Sequence, residues 1–178
     1  MGIETEKSET TAYPRTKAGQ ALYSFTVKAG CFLVRHRALA QILGVTWGCL
    51  GLLIGLVEMI VVNVLPCKRS YGNFNGFPFV MFGDNWGGLE GGFCFFVADN
   101  MGDEWTLHTK RHETGHCFQN AVFGPFMVFL VMIPSAIRYW IRKAKPSSVP
   151  YDAVWYEGSS TEIGTYYDEV CNSKGDGI

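Results

Sequence analysis

His112, Glu113 and His116 form the pattern His-Glu-x-x-His within His112-Glu113-Thr114-Gly115-His116. On a helix, residues four apart share one face, so both imidazoles can point at one metal ion. Glu113 sits about 100° further round, within reach of a water on that ion. Such a Glu can take a proton from the water and return it to a leaving amine. The ion expected with this chemistry is Zn2+, which lowers the pKa of its bound water toward about 7. A catalytic zinc usually has three protein ligands and one open position. No His follows His116, so a ligand further along the chain must be a carboxylate: Asp152, Glu157, Glu162, Asp168, Glu169 or Asp176. His108 extends the series upstream by one turn. Three histidines on consecutive turns of one straight helix span about 12 Å, too far for one tetrahedral ion. His108 is therefore expected at the rim or behind a ligand.

The stretch KRHETGHCFQN resembles the HExGHxxQ helix of zincin metallopeptidases. It is particularly similar to small bacterial membrane proteins whose HExGH helix runs into an apolar FGP stretch with a later IPS. Here that stretch is FGPFMVFLVMIPSAI. An upstream NWGG element, Asn85-Trp86-Gly87-Gly88, and a later Glu157 seven residues before Gly164 extend the likeness over residues 80–165. The Glu157 pattern is similar to that of the gluzincins, in which a Glu from a second helix is the third ligand. The resemblance implies His112, His116 and Glu157 as zinc ligands, with Glu162 as the fallback, and Glu113 as general base. Tyr166 or Tyr167 is a candidate hydrogen-bond donor to a developing oxyanion. The aromatic strand at 92–98, with Phe93, Phe95 and Val97, is either a core strand or an edge to which an extended peptide adds as a further strand.

The elements that must position these groups are strongly apolar. The 178 residues are 48% hydrophobic and 17% charged, with net charge −1. That balance excludes a disordered chain and leaves no basic footprint for nucleic acid. Residues 38–57 carry no charge and are long enough, at about 1.5 Å per residue, to span a bilayer core of roughly 30 Å. Gly44/Gly48 and Gly51/Gly55 have the small-xxx-small spacing that lets helices approach, which makes a helix-mediated oligomer an expectation. A helix is expected from about Glu104 to Phe123, stopped or kinked at Gly124-Pro125. The apolar run 121–137 contains Pro125 and Pro134. If it crossed a bilayer, Glu157 could not share an ion with the histidines. It is therefore expected to turn back, as a re-entrant or surface element spanning 121–141.

The expected fold class is an α-helical membrane protein with a small β element, built from an N-terminal transmembrane helix and a minimal zincin-like helix pair. The expected divisions are a disordered tail at 1–16, an interfacial and transmembrane helix at 17–67, a zincin-like domain at 68–170 and a tail at 171–178. The expected location is integral in a membrane, with the lipid bilayer and a peptide or protein substrate as partners. The function read from the sequence is a membrane-bound zinc metallopeptidase. Its alternative is a non-catalytic membrane protein with a structural metal site or a helix-packing role.

Overall fold

A computed structural model describes residues 16–83, 86–99 and 101–175. Residues 1–15 of the expected disordered tail, Asn85 and the last three residues lie outside them; Thr16 caps the first helix. Six α-helices run α1 (Lys17–Arg35), α2 (Arg37–Thr46), α3 (Cys49–Val64), α4 (Asp103–Phe123), α5 (Ile133–Ala144) and α6 (Trp155–Gly175). Four strands lie between α3 and α4: β1 (Arg69–Phe74), β2 (Phe77–Phe82), β3 (Gly88–Glu90) and β4 (Phe95–Val97).

The structure does not show the expected N-terminal transmembrane helix. Among the described residues no single helix is long and apolar enough to cross a membrane. The apolar run breaks at Trp47-Gly48, and α2 and α3 meet at a 77° bend. The cause is a polar side chain far away in sequence. Asn120 of α4 donates to the Gly48 carbonyl at 3.2 Å and packs on Gly48 and Gly51, where only glycine leaves room for it. Gly55 lies against the backbone of Gly91. Three of the four spaced glycines thus receive parts of this same chain.

The segment after α4 does turn back. Gly124 ends α4 at φ +56°, a 3-10 turn (Gly124–Phe126) and a π-helical turn (Val128–Met132) follow, and the path bends by 114°. Arg138 then ties α5 to the returning chain through the carbonyls of Pro150 and Tyr151 at 2.9 and 3.1 Å.

The sheet has strand order β1-β2-β4-β3. β1 and β2 form an antiparallel hairpin around Asn75-Gly76, both at positive φ as its tight turn requires. β2 pairs with β4 in parallel, and β3 pairs with β4 antiparallel. Helix α4 packs on β3 and β4 on one side and on α6 and α1 on the other. Leu33, Val34, Phe118, Ile163 and Tyr167 close the helical core. Helix α1 packs on α6, where Gly30 receives the Ile163 side chain. Arg111 and Asn75 both bond the buried Asp168 carboxylate, at 2.9 and 2.7 Å, which locks α4, α6 and the hairpin together.

Candidate metal centre

Helix α4 carries His112, Glu113 and His116 on the flank that α6 and β3 cover, and all three are buried. Helix α6 brings Glu157, fully buried, to the same point. The Glu157 Oε2 lies 3.1 Å from His112 Nε2 and 3.2 Å from His116 Nε2, and the two nitrogens are 3.1 Å apart. His112, His116 and Glu157 could therefore hold a metal ion. The fit is good in size: ligands about 2.0–2.1 Å from a tetrahedral zinc are separated by roughly 3.3 Å.

The protonation pattern supports the same reading. Thr161 Oγ1 donates its one proton to Asp152 Oδ2 at 2.8 Å, so it accepts from His112 Nδ1, also at 2.8 Å. Gln119 Nε2 donates to the Tyr156 carbonyl and to Ser159 Oγ, each at 2.8 Å. Its Oε1 is then left to accept from His116 Nδ1 at 2.7 Å. Both imidazoles are held as Nδ1–H tautomers, and both Nε2 lone pairs face Glu157. Three electron-rich atoms in contact need a proton or a cation between them. Burial alone would lower the two His pKa values, but the bonds to Glu157 outweigh it and raise them. Burial alone would raise Glu157, yet the same bonds hold it well below the carboxylate range. Its second oxygen, Oε1, has no hydrogen-bond partner among the described residues.

Glu113 does not join the triad. Its carboxylate lies against β3 at Gly88, where a Cβ would come within 2.3 Å of Oε1. Burial pushes its pKa up to about 8, with His116 pulling the other way. A cavity of about 650 Å³ opens onto His112, Glu113 and His116. Trp86, Trp105, Met127, Val131 and Tyr139 give it apolar walls.

His108 stands at the cavity rim, its side chain 55% exposed and its Nε2 4.0 Å from Asp152. Glu162 faces the other way and receives the Tyr23 hydroxyl, so it is not the third ligand. Tyr166 accepts from Arg35 Nε at 2.7 Å, and Tyr167 donates to the Asn75 carbonyl. Neither reaches the histidines, so both fail as oxyanion donors. Tyr151 is the tyrosine that does. Its ring centroid is 6.2 Å from that of His112, its hydroxyl is 3.2 Å from Ser135 Oγ, and it lines the cavity. Burial, then Glu157, raises its pKa, so it stays a donor.

The edge-strand expectation also moves. Phe95 and Val97 are fully buried in β4, which has neighbours on both sides, and Phe93 precedes that strand and packs on the core. The free edge beside Glu113 is β3, with Leu89 41% exposed.

Compared with family models, with curated proteins and with solved structures, the chain finds no match. The likeness to zincins rests on the residues quoted above.

Proposed function

We propose that this chain is a zinc-dependent hydrolase acting on peptide bonds, with His112, His116 and Glu157 as zinc ligands. The carrying observation is the meeting of two oriented Nε2 lone pairs with a buried carboxylate at 3.1–3.2 Å, beside an open cavity. A site that served structure alone would have no need of that cavity, because structural zinc sites are closed.

Zinc, when bound there, supplies Lewis acidity and a water of lowered pKa. Glu113, buried beside the ligands, would be placed to accept a proton from a water there and hand it to a leaving amine. The β3 edge at Gly88–Glu90 offers backbone groups to an extended peptide, aligning it past Glu113. The Tyr151 hydroxyl stabilises charge on the attacked carbonyl oxygen. The apolar cavity walls favour a large apolar side chain next to the scissile bond.

Metal analysis of the purified protein beside His112→Ala, followed by turnover of a mixed peptide library, tests this reading. Zinc at one equivalent in wild type and its loss in the variant are expected. Equal metal content in the two proteins would remove the site.

A further inference from the structure

Most of the exposed large apolar side chains lie on the two bent helix pairs. On α3, Leu53, Val57, Ile60 and Val64 recur at helical spacing and are 57–75% exposed. On the segment after α4, Phe129, Ile133, Ile137 and Trp140 form a second stripe, 45–66% exposed. The two bends touch. The Trp47 ring lies 6.2 Å from that of Phe126, and Gly124 packs on Trp47. The stripes are therefore joined where each helix pair turns. An apolar surface of this kind marks an interaction site.

We propose that this joined face seats in one leaflet of an anionic lipid bilayer, holding the protein on the membrane without crossing it. Charge decides between occupants. Residues 38–57 and 114–137 carry no Asp, Glu, Lys or Arg, and no acidic residue occurs from 114 to 151. The basic residues Arg138, Arg142, Lys143 and Lys145 gather at the end of the second stripe. Among the described residues none of them makes an ion pair; Arg138 and Arg142 hydrogen-bond backbone carbonyls of 147–151 and lie over the Tyr151 ring. An uncharged apolar face with an unpaired basic collar matches acyl chains below and anionic headgroups above. The bends suit this placement. Each pair turns by 77° or 114° and stays helical on both sides, so few backbone groups need water while the chain enters and leaves by one surface. The other flank of the second stripe, with Val131, Ala136 and Tyr139, walls the metal cavity, so the docked face and the cavity share a wall.

The test uses the purified full chain, vesicles of phosphatidylcholine alone, and vesicles with a minority of phosphatidylglycerol. Wild type is expected to float with both and at least about fivefold more with the anionic ones, an advantage that high salt removes. The pair Ile137→Asp and Ile141→Asp should lose flotation about tenfold or more while keeping wild-type metal content. The metal readout separates failure of docking from failure of the hydrolase reading. Quenching of Trp140 and Trp47, identified with Trp140→Phe and Trp47→Phe, should be stronger from lipids brominated near the headgroup end of the acyl chain than near its methyl end. Wild type that stays unbound, variants that float like wild type, a stable dimer that Ile137→Asp dissociates, or the reverse quenching order would each overturn the proposal.

Discussion

Gly115 of α4 and Ser160 of α6 meet backbone to backbone: a Cβ on Gly115 would lie 1.9 Å from the Ser160 carbonyl oxygen. One turn further along the same crossing, a Cβ on Gly164 would lie 1.7 Å from the Arg111 carbonyl oxygen. These two glycines set how close α6 comes, and so whether Glu157 reaches the imidazoles. Gly115→Ala or Gly164→Ala should push the helices apart. The expected cost is about 3 kcal/mol, or a melting midpoint lower by on the order of 10 °C. Metal content should fall with it. Calorimetry and metal analysis on the same samples check both, and a variant with wild-type metal content would show that the crossing is not what delivers Glu157.

Thr161→Val and Gln119→Leu each remove the acceptor that fixes a histidine tautomer. Each should weaken metal binding by about 10–100-fold, because an unanchored imidazole loses both orientation and basicity. Competition against a chelator of known affinity measures this. Thr161→Ser, which keeps the hydroxyl, should restore most of the affinity.

Glu113→Gln should keep the metal and lose hydrolysis by about 10²–10⁴-fold, since the amide preserves shape but accepts no proton. Unchanged turnover in this variant would take Glu113 out of the mechanism.

Tyr151→Phe should lower kcat by about 10²-fold with little change in KM, as expected for a donor that acts on charge formed in the transition state. An effect confined to KM would make Tyr151 a wall of the cavity and nothing more.

Glu58 and Glu90 give the metal-free protein a pH dependence. Burial pushes each to about 7 from an ordinary 4.5, and each has a carboxylate oxygen without a partner among the described residues. The folded state thus holds these protons more tightly than the unfolded chain. Their stabilising contribution is complete below about pH 4.5 and is lost as the pH rises through about 7. Denaturation midpoints should fall between about pH 5 and pH 8. Glu90→Gln, which can still accept from the Gly92 amide, should flatten that fall and stabilise the protein at the upper end. A steeper decline in the variant would refute the assignment.

How far the residues alone could lead depended on distance along the chain. His112, Glu113 and His116 were legible because one helix turn places them, and α4 begins at Asp103, one residue before expectation, and ends at Phe123 as expected. Residue types alone left the third ligand among several carboxylates, since Glu157 arrives only through the Gly115 and Gly164 crossing. The break at Gly48 was hidden because its cause, Asn120, lies 72 residues away. Residue types left 92–98 open between core and edge for a similar reason. Phe-rich β4 reads as a strand, but its side chains are apolar because it is central; the true edge, Gly88-Leu89-Glu90, is too short and glycine-rich to announce itself. Tyr151 went unseen because it stands in a short turn that precedes α6.

The dependence of the centre on α6 also orders events during synthesis. A ribosome that has released the chain through residue 150 has delivered the sheet, both imidazoles and Glu113, yet no third ligand. A nascent chain at that stage offers an ion only two nitrogens and competes poorly with cellular chelators. Loading therefore waits until α6 has emerged and docked on α1 and α4. On the proposed hydrolase reading, chains that stop short of α6 stay inert; pulse-labelled chains should carry radioactive zinc only once α6 is complete.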